Sequence, residues 1–211
     1  MIKAKNIYKI YDDIEVLSDI SITLKENRSI AIMGASGEGK TTLLHILATL
    51  EEPTKGEILI ESKYNDKNLI RNRFFGFIFQ SYNLLEDFSS LENILMPSMI
   101  ARNKKKFLKR AKYLLKELKM EKKANTKTKF LSGGEKQRIA IARAFLLDPK
   151  IIFADEPTGN LDRKNSEILH KILLDFVKKE KKSLIVATHD EELASKCDEK
   201  FILKGGKIQK I

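Results

Sequence analysis

The chain has no tryptophan, a single cysteine and only four prolines in 211 residues. One thiol, Cys197, cannot close an internal disulfide, which fits a reducing compartment. No Pro-rich linker, repeat or low-complexity tract divides the chain, so a single domain over 1–211 is expected. Long apolar runs are missing as well. The longest stretch without Asp, Glu, Lys or Arg is Phe74 to Leu85, and it contains Gln80, Ser81 and Asn83. That falls short of the roughly 20 apolar residues that span a bilayer. The opening MIKAKNIYKIYDD has no apolar centre and does not read as a signal peptide. A hydrophobic content of 42% with 33% charged residues indicates a globular chain rather than a disordered one.

Acidic residues are scarce in one place only. Between Arg102 and Lys129, 13 Lys/Arg stand against two Asp/Glu, which accounts for the whole net charge of +11. The remainder is neutral. Within that segment Phe107, Ala111, Leu114, Leu115 and Leu118 recur at helical spacing, predicting an amphipathic helix with lysines on its wet side. Only Phe107, Tyr113 and Phe130 interrupt the charges, so base-stacking platforms are largely missing and no specific nucleic-acid partner is expected. A solvated lysine face is the plain reading of 102–129, and contact with anionic lipid is its alternative.

Short apolar runs at Ile20–Leu24, Ser29–Met33, Ile58–Ile60, Phe74–Phe79, Ile151–Ala154, Leu184–Thr188 and Phe201–Leu203 read as strands. Two of them, Ile151–Ala154 and Leu184–Thr188, lack polar alternation, as parallel strands covered on both faces do. Helical patterns occupy Lys40–Leu50, Gly134–Leu147 and Lys164–Lys178. The expectation is an α/β core, 1–84 and 148–211, with a helical insertion at 85–147.

Two Gly-rich helix starts carry the chemistry. Gly34-Ala35-Ser36-Gly37-Glu38-Gly39-Lys40-Thr41-Thr42 follows a strand and opens a helix, and it satisfies G-x-x-x-x-G-K-[ST]. Such a loop turns successive amides towards phosphate oxygens at a helix N-terminus. Lys40 then reaches the β- and γ-phosphates and the Thr41 hydroxyl ligates Mg²⁺. A P-loop needs an acidic partner at a neighbouring strand end, and IIFADEP supplies Asp155 for the metal and Glu156 for the attacking water. This much describes a P-loop NTPase, whether kinase, helicase or GTPase. The second start, Ser132-Gly133-Gly134-Glu135, fits a capping box. A cap does not explain two adjacent glycines, which clear the amides for an anion.

LSGGEKQR resembles the signature motif of the ATP-binding-cassette (ABC) ATPases, and the resemblance extends over essentially the whole chain. It implies a P-loop NTPase core, a RecA-like sheet with an antiparallel β subdomain, and 85–147 as the helical signature subdomain. In the family's order, Tyr11 resembles the residue that stacks on adenine and Gln80 the loop glutamine that senses Mg²⁺. Gly159-Asn160-Leu161-Asp162 resembles the loop that crosses the dimer interface, and His189 the switch histidine. The implied cofactors are ATP and Mg²⁺, with Glu156, His189 and Lys40 catalytic and Thr41, Gln80 and Asp155 at the metal. Two copies are implied to pack head to tail, each ATP lying between one P-loop and Ser132–Gly134 of the other copy. A separate membrane permease is implied, placing the chain on the cytoplasmic face of the inner (plasma) membrane. QSYNLLEDFSSLENILMP, LLHILATLEEPTKG and PTGNLD…ATHD are most similar to the lipoprotein-releasing type. Macrolide-exporter, antimicrobial-peptide-exporter and cell-division cassettes are the alternatives, and soluble ABC ATPases acting on nucleic acid are a distant one. The intact Glu156 and His189 argue against a non-catalytic scaffold. Glu38 departs from the family's small residue, and its carboxylate is expected to point away from phosphate. Leu84–Met99 is expected to receive the permease, through a groove of Leu85, Phe88, Leu91 and Ile94.

Overall fold

The computed structural model describes the chain except residues 63, 65 and 101–103 and the side chains at 100, 104 and 105. Arg102, the first residue of the basic segment, therefore lies outside the described residues. Three strands, β1 (Ile2–Tyr11), β2 (Ile14–Leu24) and β4 (Lys55–Ile60), form an antiparallel sheet in the order β2-β1-β4. The second sheet contains β3 (Ser29–Met33), β5 (Phe75–Ile78), β6 (Ile151–Asp155), β7 (Ser183–Ala187), β8 (Glu199–Lys204) and β9 (Lys207–Lys210). Its order is β5-β6-β7-β3-β8-β9, parallel throughout except for the last hairpin. Every residue of β6 and β7 is buried, which is why these strands show no alternation.

The helices are α1 (Lys40–Leu47), α2 (Lys67–Arg73), α3 (Ser90–Ile100), α4 (Lys104–Glu117), α5 (Gly133–Phe145), α6 (Arg163–Lys179) and α7 (Glu191–Ser195). They cover the six-stranded sheet on both faces. One core joins its first face to α3, α4, α5 and α6 through Ile94, Leu114, Ile141, Phe145 and Leu173. The other joins its second face to α1 and the antiparallel sheet through Ile7, Ile20, Leu43 and Phe153. Among the described residues no helix is long and apolar enough to cross a membrane.

β1 has no counterpart among the expected strands. Its buried residues, Ile2, Ala4 and Ile7, are separated by Lys and Asn, and the turn to β2 is Asp12-Asp13. Both aspartates have positive φ, 43° and 68°, the twist-matched hairpin geometry that usually takes Asn-Gly. α3 was also not expected, because Pro97 interrupts the apolar run. The helix continues through Pro97, and the neighbouring Ser98 hydroxyl donates to the Leu95 carbonyl. Asn93, buried, ties the helix to the preceding loop by donating to the Leu85, Phe88 and Ser89 carbonyls. This geometry corrects the groove. Ile94 is fully buried in the core and Leu91 packs against it, whereas Leu85 (44% exposed) and Phe88 (41%) remain on the surface.

Candidate functional site

The loop from β3 to α1 is shaped by glycines that nothing else can replace. Gly39, the N-cap of α1, has φ +92° and no side-chain cap, so the first amides of the helix face outward unblocked. A Cβ on Gly34 would lie 2.4 Å from the Leu203 carbonyl of β8. Glu38 is turned away from the loop's mouth, its carboxylate accepting from the Gly205 amide at 2.6 Å. The expected outward orientation thus has a partner, one that the local sequence does not signal.

Lys40 is buried (8% exposed). Its ammonium donates to the Gly34 and Ala35 carbonyls at 2.9 and 3.0 Å and lies 3.6 Å from Glu156 Oε1. The charge is therefore held at the floor of the loop before any phosphate is considered. Thr41 Oγ1 donates to the Asp155 carboxylate at 3.0 Å. Asp155 closes β6 and is 6% exposed; burial raises its carboxyl pKa, against the lowering effect of the Thr41 hydroxyl. Glu156 follows at φ +42°, a conformation that a non-glycine residue keeps only when its surroundings impose it. His189 Nδ1 meets Glu156 Oε2 at 2.9 Å. A carboxylate can only accept, so Nδ1 carries the proton.

Lys40, Thr41, Glu156 and His189 converge on a cleft of about 690 Å³ that also contains Tyr11, Val16, Ser36, Gly37, Gly39, Thr42, Gln80 and Gly159, whereas Gly34, Ala35, Glu38 and Asp155 do not line it. The Tyr11 ring stands at its edge, 40% exposed, with its hydroxyl bonded to Glu51 and the Lys9 ammonium 4.8 Å from the ring centre. Val16 was missed by sequence reasoning, because nothing in IEVLSD marks it as facing the P-loop. Glu51 and Lys9 were missed too, since they act only through Tyr11.

The oxygen donors suit Mg²⁺. The Thr41 hydroxyl and the Asp155 carboxylate lie 3.0 Å apart and are hard oxygen donors of the kind that this ion takes. Mg²⁺ binds in this way, through few protein oxygens supplemented by water and phosphate.

Ser132, Gly133 and Gly134 do not reach this cleft. Ser132 and Gly134 border a separate recess of about 250 Å³ with Lys119, Glu135 and Arg138. Both halves of the capping box are made: Ser132 N–H donates to Glu135 Oε2 at 2.9 Å and Glu135 N–H to Ser132 Oγ at 3.4 Å. A Cβ on Gly134 would meet nothing closer than Asn165 Oδ1 at 4.0 Å. Among the described residues no close steric contact requires glycine there.

Comparisons with known proteins follow the same lines. A family described as "ABC transporter" matches residues 17–159. A curated protein of Protochlamydia amoebophila, "Lipoprotein-releasing system ATP-binding protein LolD", is 48% identical over 92% of this chain and 88% of its own length. The protein of the same name from Cytophaga hutchinsonii is 43% identical over 99% of this chain and 98% of its own. Among solved structures, the dimeric structure of the bacterial ABC transporter cassette MJ0796 superposes with a TM-score of 0.88 and 37% identity, covering 99% of this chain and 97% of that one.

Proposed function

The chain belongs to the ABC transporter family, and from that premise we propose that it is the ATP-hydrolysing subunit of a lipoprotein-releasing transporter. One observation carries the mechanism: the P-loop cleft and the glycine-cleared start of α5 border separate recesses and do not meet within one chain. A second copy packed head to tail brings them together. The dimeric cassette of similar fold supports pairing of two copies, and the near-full-length similarity to lipoprotein-releasing subunits supports the substrate.

In this reading the amides of Gly34–Thr42 and the Lys40 ammonium bind the β- and γ-phosphates, and Tyr11 stacks on adenine. Thr41, Gln80 and Asp155 would hold Mg²⁺, which would neutralise charge on the phosphates. Glu156 accepts hydrogen bonding from the attacking water, and His189 keeps that carboxylate and the γ-phosphate in register. The partner copy supplies the Ser132–Gly134 amides on the opposite side. Lys40 works in a water-poor site, where a fixed charge is worth far more than in bulk solvent. Residues 85–147 are assigned as the helical signature subdomain.

The permease is assigned to the surface carrying Leu85 and Phe88, two large apolar side chains that stay exposed. The decisive assay measures ATP-dependent release of lipoprotein to a soluble carrier by the cassette reconstituted with its co-purifying permease. Leu85→Asp with Phe88→Asp is expected to leave ATP binding intact and abolish release. Normal release by that variant removes the surface from the mechanism. Export of a small amphiphile without lipoprotein release by the wild type replaces the substrate assignment.

The same reading places the chain peripherally on the inner membrane and assigns the lysine face to anionic lipid. Lys106, Lys109, Lys112 and Lys116 are exposed on α4, and each Lys near an anionic surface contributes about 1 kcal/mol. Sedimentation with phosphatidylserine vesicles at low salt is expected, and Lys109→Glu, Lys112→Glu and Lys116→Glu combined should abolish it. No sedimentation by the wild type at low salt, or RNA binding that persists at physiological salt, overturns the assignment.

A further inference from the structure

One buried histidine takes no part in any contact invoked above. His170 lies on the inner stripe of α6 with Ser166, Leu169 and Leu173 and is 1% exposed. A ring with two polar nitrogens costs stability at such a position unless they are bonded. Nε2 lies 2.9 Å from Thr158 Oγ1 and 3.7 Å from Asp190 Oδ2. Nδ1 is buried without a partner among the described residues. Thr158 is the ring's hydrogen-bond partner; the Asp190 carboxylate, at 3.7 Å, lies beyond hydrogen-bond reach and acts through its charge.

The two contacts bracket the Glu156–His189 pair. Thr158 stands two residues beyond Glu156, in a turn held by Gly159 N–H donating to the Glu156 carbonyl and Leu161 N–H to the Thr158 carbonyl, both at 3.0 Å. Asp190 stands one residue beyond His189. Its N–H donates to Thr188 Oγ1 at 3.0 Å, and that hydroxyl donates in turn to Glu156 Oε2 at 3.3 Å. Its carboxylate accepts from Leu193 N–H at 2.8 Å, capping α7. The ring thus links the turn after β6 to the turn after β7, and Glu156 needs such support because its φ of +42° is held from outside.

We propose that His170 is a positioning residue for ATP hydrolysis: its Nε2, hydrogen-bonded to Thr158 and set beside the Asp190 carboxylate, braces the two turns and so sets the placement of Glu156 against His189. The proposal rests on the reading of Glu156 and His189 as the hydrolytic pair. Nucleotide binding is made by Gly34–Thr42, which His170 does not touch. A slack brace therefore misplaces the carboxylate without loosening ATP.

The test is steady-state ATP hydrolysis by His170→Leu, His170→Gln and His170→Asn, each checked by thermal unfolding. His170→Leu is expected to lower kcat about ten- to a hundredfold, the range that a small misplacement of a reacting group produces. KM for ATP should stay within about threefold, because ground-state binding is untouched. Gln presents an N–H where the imidazole Nε2 lies, and should restore most of kcat; Asn presents its own where Nδ1 has no partner, and should not. Adding Thr158→Val to His170→Leu should cost nothing more, since both remove one link. Wild-type kcat in His170→Leu, or equal rescue by Gln and Asn, overturns the brace; a mere core-filling role predicts the second outcome. If the Leu variant does not fold, the Gln and Asn pair decides alone. Glu156→Gln run alongside separates the two readings. Full turnover in that variant overturns the hydrolytic pair, whereas its loss beside a wild-type rate in His170→Leu overturns only the brace.

Discussion

Glu156→Gln is expected to lower ATP turnover by about two to four decades, the contribution typical of a general base. Each decade corresponds to about 1.4 kcal/mol of barrier. The substitution keeps the size and much of the hydrogen bonding. The amide that replaces the carboxylate would still meet the Thr188 hydroxyl and Lys40, which lie 3.3 and 3.6 Å from the Glu156 oxygens. The P-loop should therefore continue to bind nucleotide. What is lost is the charge that polarises water. ATP then persists in the cleft, and light scattering at high protein concentration should show the mass moving towards a dimer. Turnover at the wild-type rate would remove Glu156 from the chemistry.

The second large effect is expected at Gly134. In the Glu156→Gln background, adding Gly134→Asp should abolish the ATP-dependent dimer. The position is chosen on steric grounds. A Cβ on Gly133 would sit 3.1 Å from the Tyr82 hydroxyl and 3.2 Å from Leu161 Cδ2, so a side chain there also crowds two neighbouring side chains. Gly134 has open space, and an aspartate in the first turn of a helix interacts favourably with its dipole. Loss of the dimer cannot then be ascribed to loss of α5. The remaining cause is a carboxylate set against the phosphates of the partner's nucleotide, a like-charge contact worth several kcal/mol when water is excluded. A double variant that still dimerises with ATP refutes the shared site.

Much of this site is legible in sequence because each part is local. Gly34–Thr42 carries its loop geometry, its lysine and its hydroxyl within nine consecutive residues, and IIFADE places two carboxylates at a strand end by hydrophobicity alone. The fold is legible where strands are buried on both faces, as β6 and β7 are. It is not legible in β1, where alternation with Lys and Asn hides Ile2, Ala4 and Ile7, nor in α3, where Pro97 hides a helix. The groove shows the same limit: Ile94 and Phe88 are both apolar, and only the packing of α3 decides that the first is core and the second surface. The partners of Glu38 and His170 are remote in sequence. Gly205 lies 167 positions from Glu38, and no periodicity reports such a pairing.

The order of the six-stranded sheet has a consequence for how the chain is made. β3, which delivers the P-loop, pairs with β7 on one side and β8 on the other, so neither neighbour exists until the ribosome has passed Ser183. The Leu203 carbonyl that packs against Gly34 and the Gly205 amide that anchors Glu38 come later still. Pairings of such long sequence separation form slowly, because the loop must close before any contact rewards it. A nascent chain therefore displays its Gly34–Thr42 segment through the synthesis of β4 to β6 without the strands that shape it. The loop takes its final shape only once β8 and the turn beyond it have emerged, because the close approach at Gly34 and the anchor of Glu38 are both made there.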